Sequence, residues 1–194
     1  MLALIQCENT SVNELSKTLK DIRVPFIVTG SESDICKCDK VILYGSGSIK
    51  QNMKQLHILN LFSLLRMINK PILGIGLGME LMCDHATGEN IACLGLFPVD
   101  STKIEDEEIL VSHSGLKKVD IIKKSRLFEG ISSGSEFFFS ENYYLPENGY
   151  ITSVAVNKQN FTASVERDNI FGVQFHPEKS GGVGLTLLKN FVSI

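Results

Sequence analysis

The sequence has 194 residues, 43% hydrophobic and 21% charged. These are the proportions of an ordinary globular chain, read as one domain over 1–194, and they exclude a disordered one. Its 19 Lys and Arg against 22 Asp and Glu give a net charge of −3, and without a basic cluster neither nucleic acid nor an anionic membrane is an expected partner. No apolar run approaches the roughly 18 residues of a membrane helix. The start, Met1 to Gln6, lacks a basic n-region and reads as a strand rather than a signal peptide, so a cytoplasmic setting is expected. The five cysteines are Cys7, Cys36, Cys38, Cys83 and Cys93. An odd count without framework spacing predicts reduced thiols, and Cys36-Lys37-Cys38 has no matching pair to complete a metal site. No metal or cofactor is expected.

In chain order, Leu2 to Ile5 predicts a first strand. Val12, Leu15 and Leu19 recur at helical spacing after Asn9 or Ser11, either of which could cap a helix. Pro25 to Thr29 and Lys40 to Tyr44 predict the second and third strands. Leu56 to Ile68 predicts one amphipathic helix, Pro71 to Ile75 a strand, and Leu77 to His85 the helix after it. Apolar strands alternating with amphipathic helices predict a parallel sheet covered by helices. Beyond Gly95 the pattern becomes hairpin-like. Glu108–Val111, Gly134–Phe139, Ile151–Val156, Phe161–Glu166 and Ile170–Phe175 predict antiparallel strands extending that sheet or packed beside it, and Gly182 to Phe191 a closing helix.

Three segments could carry chemistry. Gly74-Ile75-Gly76-Leu77-Gly78-Met79-Glu80 lies between a strand and a helix. A sharp turn there, at the carboxyl end of an open α/β sheet, is where ligands bind and where the first N–H groups of a helix can hold an anion or oxyanion. The turn residue of a nucleophile elbow is Ser or Cys, but here it is Gly76, so a tight turn of small residues is the competing reading. Tyr44-Gly45-Ser46-Gly47-Ser48 follows a strand and could present N–H donors to a ligand, or be an ordinary glycine turn. Phe175-His176-Pro177-Glu178 sets an imidazole and a carboxylate on a proline-stiffened turn; a carboxylate against an imidazole makes a general base, although a lone His-x-Glu is commonly structural. A dinucleotide fingerprint fails at Met79, a P-loop is absent, and Cys83 reads as core packing rather than as a nucleophile.

Taken together, Ser164 to Ser180 with its Gly172-Val173-Gln174-Phe175-His176-Pro177-Glu178-Lys179-Ser180 run, and Lys70-Pro71-Ile72-Leu73-Gly74-Ile75-x-Leu77-Gly78-Met79, resemble the class I glutamine amidotransferases, and among them the HisH-type glutaminase subunits of imidazole glycerol phosphate synthase. The resemblance spans nearly the whole chain. It implies a flavodoxin-like α/β fold, a Cys-His-Glu triad, glutamine as substrate, and ammonia delivered to a HisF-like (β/α)8 barrel cyclase or a related synthase. On this chain it places His176 and Glu178 as catalytic residues, Gly76 at a vacant nucleophile position, and Ser46, Gly47, Leu77, Glu80, Glu141 and Asn142 around the oxyanion and substrate.

The departures form a set. Gly76 stands where the family has cysteine, and Glu80 where it has glutamine. The family's Pro-Gly-Val-Gly becomes Tyr44-Gly45-Ser46-Gly47, its His-Ser pair before the tyrosines becomes Glu141-Asn142, and its N-terminal loop shortens to Gln6-Cys7-Glu8-Asn9. Five departures read as drift of a paralogue rather than as one engineered change. An ionised carboxylate at Glu80 accepts hydrogen bonds but donates none, and it would repel a substrate carboxylate. The expectation is a HisH-type subunit with impaired glutamine hydrolysis. The alternatives are a non-catalytic binding or scaffold paralogue, for example beside a surface-sugar amidotransferase, and an enzyme in which His176 activates water directly.

Overall fold

The computed structural model describes residues 1–6, 12–104, 114–140, 142–157 and 160–194. Its elements alternate at first: β1 (Leu2–Gln6), α1 (Asn13–Asp21), β2 (Phe26–Val28), α2 (Glu32–Lys37), β3 (Lys40–Gly45), α3 (Ile49–Ile58), α4 (Leu61–Met67), β4 (Ile72–Gly76) and α5 (Leu77–Glu80). Short strands follow: β5 (His85–Ala86), β6 (Ile91–Ala92) and β7 (Thr102–Lys103). The second half holds β8 (Gly115–Ile121), β9 (Ser135–Phe139), β10 (Tyr143–Tyr144), β11 (Ile151–Ala155), β12 (Phe161–Arg167), β13 (Ile170–Val173) and α6 (Gly181–Ser193). A 3-10 turn over Pro177–Lys179 separates the last two.

One nine-stranded sheet runs in the order β2-β1-β3-β4-β13-β12-β11-β8-β9. The pairings from β2 through β13 are parallel, and those from β13 to β9 antiparallel. Alternate residues of the central strands go to opposite faces, and both faces are buried, which is why these strands read as unbroken apolar runs. Ala3, Ile5, Val41 and Leu43 pack under Ile35, Met53, Leu56 and Leu65 of α2, α3 and α4. Leu4, Ile42, Leu73 and Ile75 pack on the other face with Leu15 and Leu19 of α1 and Leu187, Leu188 and Phe191 of α6. The result is the helix-covered α/β fold the sequence predicts, with Ile170–Phe175 extending the same sheet rather than packing beside it.

Several boundaries differ from expectation, each for a local reason. Leu56 to Ile68 is not one helix: α3 ends and α4 begins around Asn60, whose φ of 58° is the left-handed conformation that Asn tolerates and a helix does not. The helix after β4 stops at Glu80 rather than reaching His85. Beyond it the carbonyls of Leu81, Met82 and Cys83 accept from the N–H groups of Leu94, Leu96, Phe97 and Gly95, so they are not left for a continuing helix. β13 is antiparallel to β12 but parallel to β4, in the register Val173 to Ile75. α2 is too short, and β8 too rich in lysine, for periodicity to reveal either. The Glu108–Val111 strand and the caps proposed at Asn9 and Ser11 lie outside the described residues.

The last helix abuts the 3-10 turn so closely that a Cβ on Gly184 would lie 1.9 Å from the Pro177 carbonyl oxygen. Backbone cannot yield there as a side chain could. Gly184→Ala is expected to cost about 1–3 kcal/mol, lowering the melting temperature by several degrees. Thermal denaturation followed by circular dichroism checks this, and an unchanged midpoint would show that α6 moves freely over the turn.

Candidate active site

The register of three parallel strands sets the site. Gly45 at the end of β3 pairs with Gly76 at the end of β4, and Val173 of β13 pairs with Ile75. Gly76, His176 and the Ser46–Gly47 loop therefore leave the same edge of the sheet, outside the carboxyl ends of its strands, where open α/β sheets carry their ligands. Gly76 has φ 56° and ψ −126°. This is a conformation that residues with a Cβ adopt only under strain, and it makes the chain turn from strand to helix within one residue. Gly78 completes the turn, since a Cβ on it would lie 2.0 Å from the carbonyl oxygen of Leu43.

His176 is 3% exposed. Its N–H donates to the Phe138 carbonyl at 2.8 Å, and its own carbonyl accepts from Ser180 Oγ at 2.6 Å. Ser180 Oγ in turn accepts from Phe138 N–H at 3.0 Å. Both sides of the histidine backbone are thus fixed, and Pro177 starts the 3-10 turn that returns Glu178 to the ring. His176 Nδ1 lies 2.9 Å from Glu178 Oε1. Tyr44 Oη donates to the same oxygen at 2.8 Å and lies 3.3 Å from Nδ1. Burial pushes the Glu178 carboxyl up, but the His176 hydrogen bond and charge and the Tyr44 hydroxyl outweigh it and hold the carboxyl below its usual range.

The loop after β3 is held by a second carboxylate. Ser48 caps α3, its Oγ accepting from Gln51 N–H. Glu89 reaches that helix start from the β5–β6 turn. It accepts from Ser48 Oγ at 2.7 Å, from the N–H groups of Ile49 at 2.9 Å and Lys50 at 3.0 Å, and from Tyr143 Oη at 2.7 Å. Burial alone would raise the Glu89 carboxyl, but these donors, Ser48 and Tyr143 foremost, hold it below its usual range. Asn52 Nδ2 donates to the carbonyls of Ser46 at 3.0 Å and Ser48 at 2.6 Å, so the loop's carbonyls are directed at α3.

The structure therefore brings Gly76, His176 and Glu178 to one edge, beside the exposed Ser46 and Gly47. Leu77 is buried in the core. Glu80 is 0% exposed and accepts from Gln174 Nε2 at 2.7 Å, so its carboxylate is turned to β13 and not to solvent. Asn142 is exposed, its carbonyl accepting from Ile104 N–H, and Glu141 lies outside the described residues. Cys83 is buried, its Sγ donating to the Met79 carbonyl, and burial and the nearby Glu80 push its thiol well up, as befits an inert core cysteine. Sequence reasoning missed Glu89, Asn52 and Gln174, and read Tyr44 as a strand end and a departure from the family motif rather than as a partner of Glu178. The Ser48 cap was the one local signal pointing toward Glu89. Among the described residues no group of three or more His, Cys, Asp or Glu could hold a metal ion, and no helix is long and apolar enough to cross a membrane.

A strand-to-helix elbow beside a His–Glu dyad on a mixed α/β sheet defines a class, and the comparison with known proteins agrees with it. Residues 3–194 match the family described as glutamine amidotransferase class-I, and the chain belongs to that family. It is 34% identical over 202 residues, covering all of both chains, to imidazole glycerol phosphate synthase subunit HisH 1 of Campylobacter jejuni. It is 38% identical over 157 residues, 80% of each chain, to the HisH subunit of Escherichia coli K12. Among solved structures, a glutamine amidotransferase superposes with a TM-score of 0.78 at 12% identity, over 98% of this chain and 97% of the other, a likeness of fold.

The depressed carboxylates fix the sign of a pH effect. Glu89 and Glu178 both titrate below the ordinary value of 4.5 in the folded state. Their stabilisation is present above that ordinary value and is lost as pH falls through the lower folded values. Glu89→Gln is expected to cost about 1–2 kcal/mol at pH 7 and to soften the loss of stability below about pH 4.5. Denaturation of wild type and variant at pH 7 and pH 4 measures both. Identical acid sensitivity in the two proteins would contradict it.

Proposed function

We propose that this chain is a HisH-type subunit that docks a HisF-like (β/α)8 barrel cyclase and whose own glutamine hydrolysis is disabled at Gly76. The observation that carries the reading is the preserved elbow and His–Glu dyad around a residue with no nucleophile. In the family's chemistry a thiolate at that position attacks the glutamine amide carbon, and the imidazole handles the proton. With glycine no acyl intermediate forms, and His176 has only water to activate. Ser46 and Asn142, in place of the family's residues, alter the substrate side of the site as well, while Glu80 is turned inward against Gln174.

In a well-studied serine protease, loss of the nucleophile costs roughly six orders of magnitude in turnover. No ammonia release from glutamine is therefore expected, with or without a partner. Release that disappears in His176→Ala would instead establish direct water activation. Co-purification with a HisF-like barrel tests the docking, and failure to associate with it would favour the scaffold alternative.

Restoring the thiol separates the elbow from the rest of the site. Gly76→Cys reintroduces a Cβ into a strained conformation, so a stability loss of about 1–3 kcal/mol is expected. Its thiol, at a helix start beside His176, is expected to alkylate readily with iodoacetamide, read by peptide mapping because Cys36 is also exposed. Glutamine turnover is expected to stay well below about 1 per second. Turnover at that rate would mean that position 76 alone separates this chain from an active enzyme.

A further inference from the structure

The dyad has a third member where the family's motif carries proline. Tyr44 ends the buried run of β3, is 5% exposed, and sets its ring edge-on to the His176 imidazole, with centroids 5.9 Å apart at 71°. Its hydroxyl and His176 Nδ1 both reach Glu178 Oε1, at 2.8 and 2.9 Å. A carboxylate only accepts, so both groups donate to it: Tyr44 its phenolic proton, His176 its Nδ1–H. Two donors on one oxygen compete, and each weakens the hold of the acceptor on the other.

The Glu178 side chain is fully buried, and a buried carboxylate needs donors or a countercharge. A thiolate at position 76 would favour an imidazolium and so provide that charge. Glycine cannot, and the neutral phenol provides a donor that a proline side chain lacks. We propose that Tyr44 is a positioning residue of the dyad: by sharing Glu178 Oε1 with His176 it adds a second donor to the carboxylate and so weakens the hold of Glu178 on a proton at the imidazole. Among the described residues, the ionisable groups that accompany the dyad are Tyr44 from β3, Glu178 and Lys179 from the 3-10 turn, and Glu14 from α1, whose carboxylate pairs with Lys179 Nζ at 3.4 Å. The inference rests on the reading of His176 and Glu178 as the surviving part of a triad. It does not depend on the partner or on glutamine.

The test is the NMR titration of the His176 imidazole in the intact chain. Tyr44→Phe keeps the ring and removes only the donor, leaving Glu178 to lean wholly on His176. The titration midpoint is expected to rise by about one pH unit. In a Glu178→Gln background the same Tyr44→Phe change is expected to leave the midpoint where it is, because Tyr44 acts through the carboxylate. Incorporating 3-fluorotyrosine, whose more acidic phenol donates more strongly, is expected to lower the midpoint without altering the packing. A midpoint unmoved by Tyr44→Phe, with only a lower melting temperature, would reduce Tyr44 to a core residue. A shift that persists in the Glu178→Gln background would mean that Tyr44 acts on the imidazole directly, and would equally overturn the proposal. Neither result bears on glutamine hydrolysis or partner docking, so the functional reading stands or falls separately.

Discussion

The parallel pairing of β4 between β3 and β13 is the constraint on which the site depends. It brings the last residues of three strands to one edge, and each strand then leaves in a different way. β3 runs into a loop whose carbonyls Asn52 draws toward α3. β4 turns at Gly76 into α5. β13 continues past Val173 to His176, which bridges to Phe138 of β9. The far end of the antiparallel half is thereby brought back to the parallel half. The Phe137, Phe139 and Phe175 rings fill the space between, with Phe137 and Phe175 centroids 4.1 Å apart. Burying such rings contributes roughly 1.5–3 kcal/mol each, so the histidine's position is tied to the core.

Three carboxylates around this edge, Glu80 and Glu178 buried and Glu89 half-buried, are each stabilised differently. Glu178 takes a phenol and an imidazole. Glu89 takes two backbone N–H groups at the start of α3 and two hydroxyls, where the helix dipole adds to the hydrogen bonds. Glu80 takes the side-chain amide of Gln174. An acid kept buried with good donors is rigid, because moving it exposes the full cost of desolvation. Glu89 thus ties the loop after β3 to Tyr143 of β10, and Glu178 ties β3 to the turn after β13.

Much of the fold is legible in the sequence because both-face burial writes itself as apolar runs. Leu2 to Ile5, Val41 to Leu43 and Ile72 to Leu73 are such runs, and all are central strands. What cannot be read depends on distant partners. Nothing near Leu77 says that the carbonyls of Leu81 to Cys83 are claimed by residues 94–97, so periodicity alone draws the helix too long. Nothing near Glu89 announces the helix start that it caps from 41 residues away in sequence. Of the candidate site, the elbow and the His-x-Glu turn are local patterns and can be found. The role of Tyr44 rests on an oxygen 134 residues further along. Glu80 reads as a substrate contact in sequence, and only its burial against Gln174 turns it inward.

The geometry around Gly76 explains how a fold can keep an elbow that holds no nucleophile. The turn is enforced by packing on both sides of it. Gly74 and Gly78 lie so close to neighbouring atoms that any Cβ would clash, while Leu77, Met79 and Leu81 anchor α5 in the core. None of these contacts involves a side chain at position 76. A residue with a Cβ there stores strain, and that strain is tolerated only where the chemistry demands it. With glycine at position 76 that strain is absent, and the packing contacts around the turn are made without a side chain there. The elbow is therefore a consequence of the core, and the His176–Glu178 pair beside it is held by hydrogen bonds from and to Phe138, Ser180 and Tyr44 that involve no side chain at position 76.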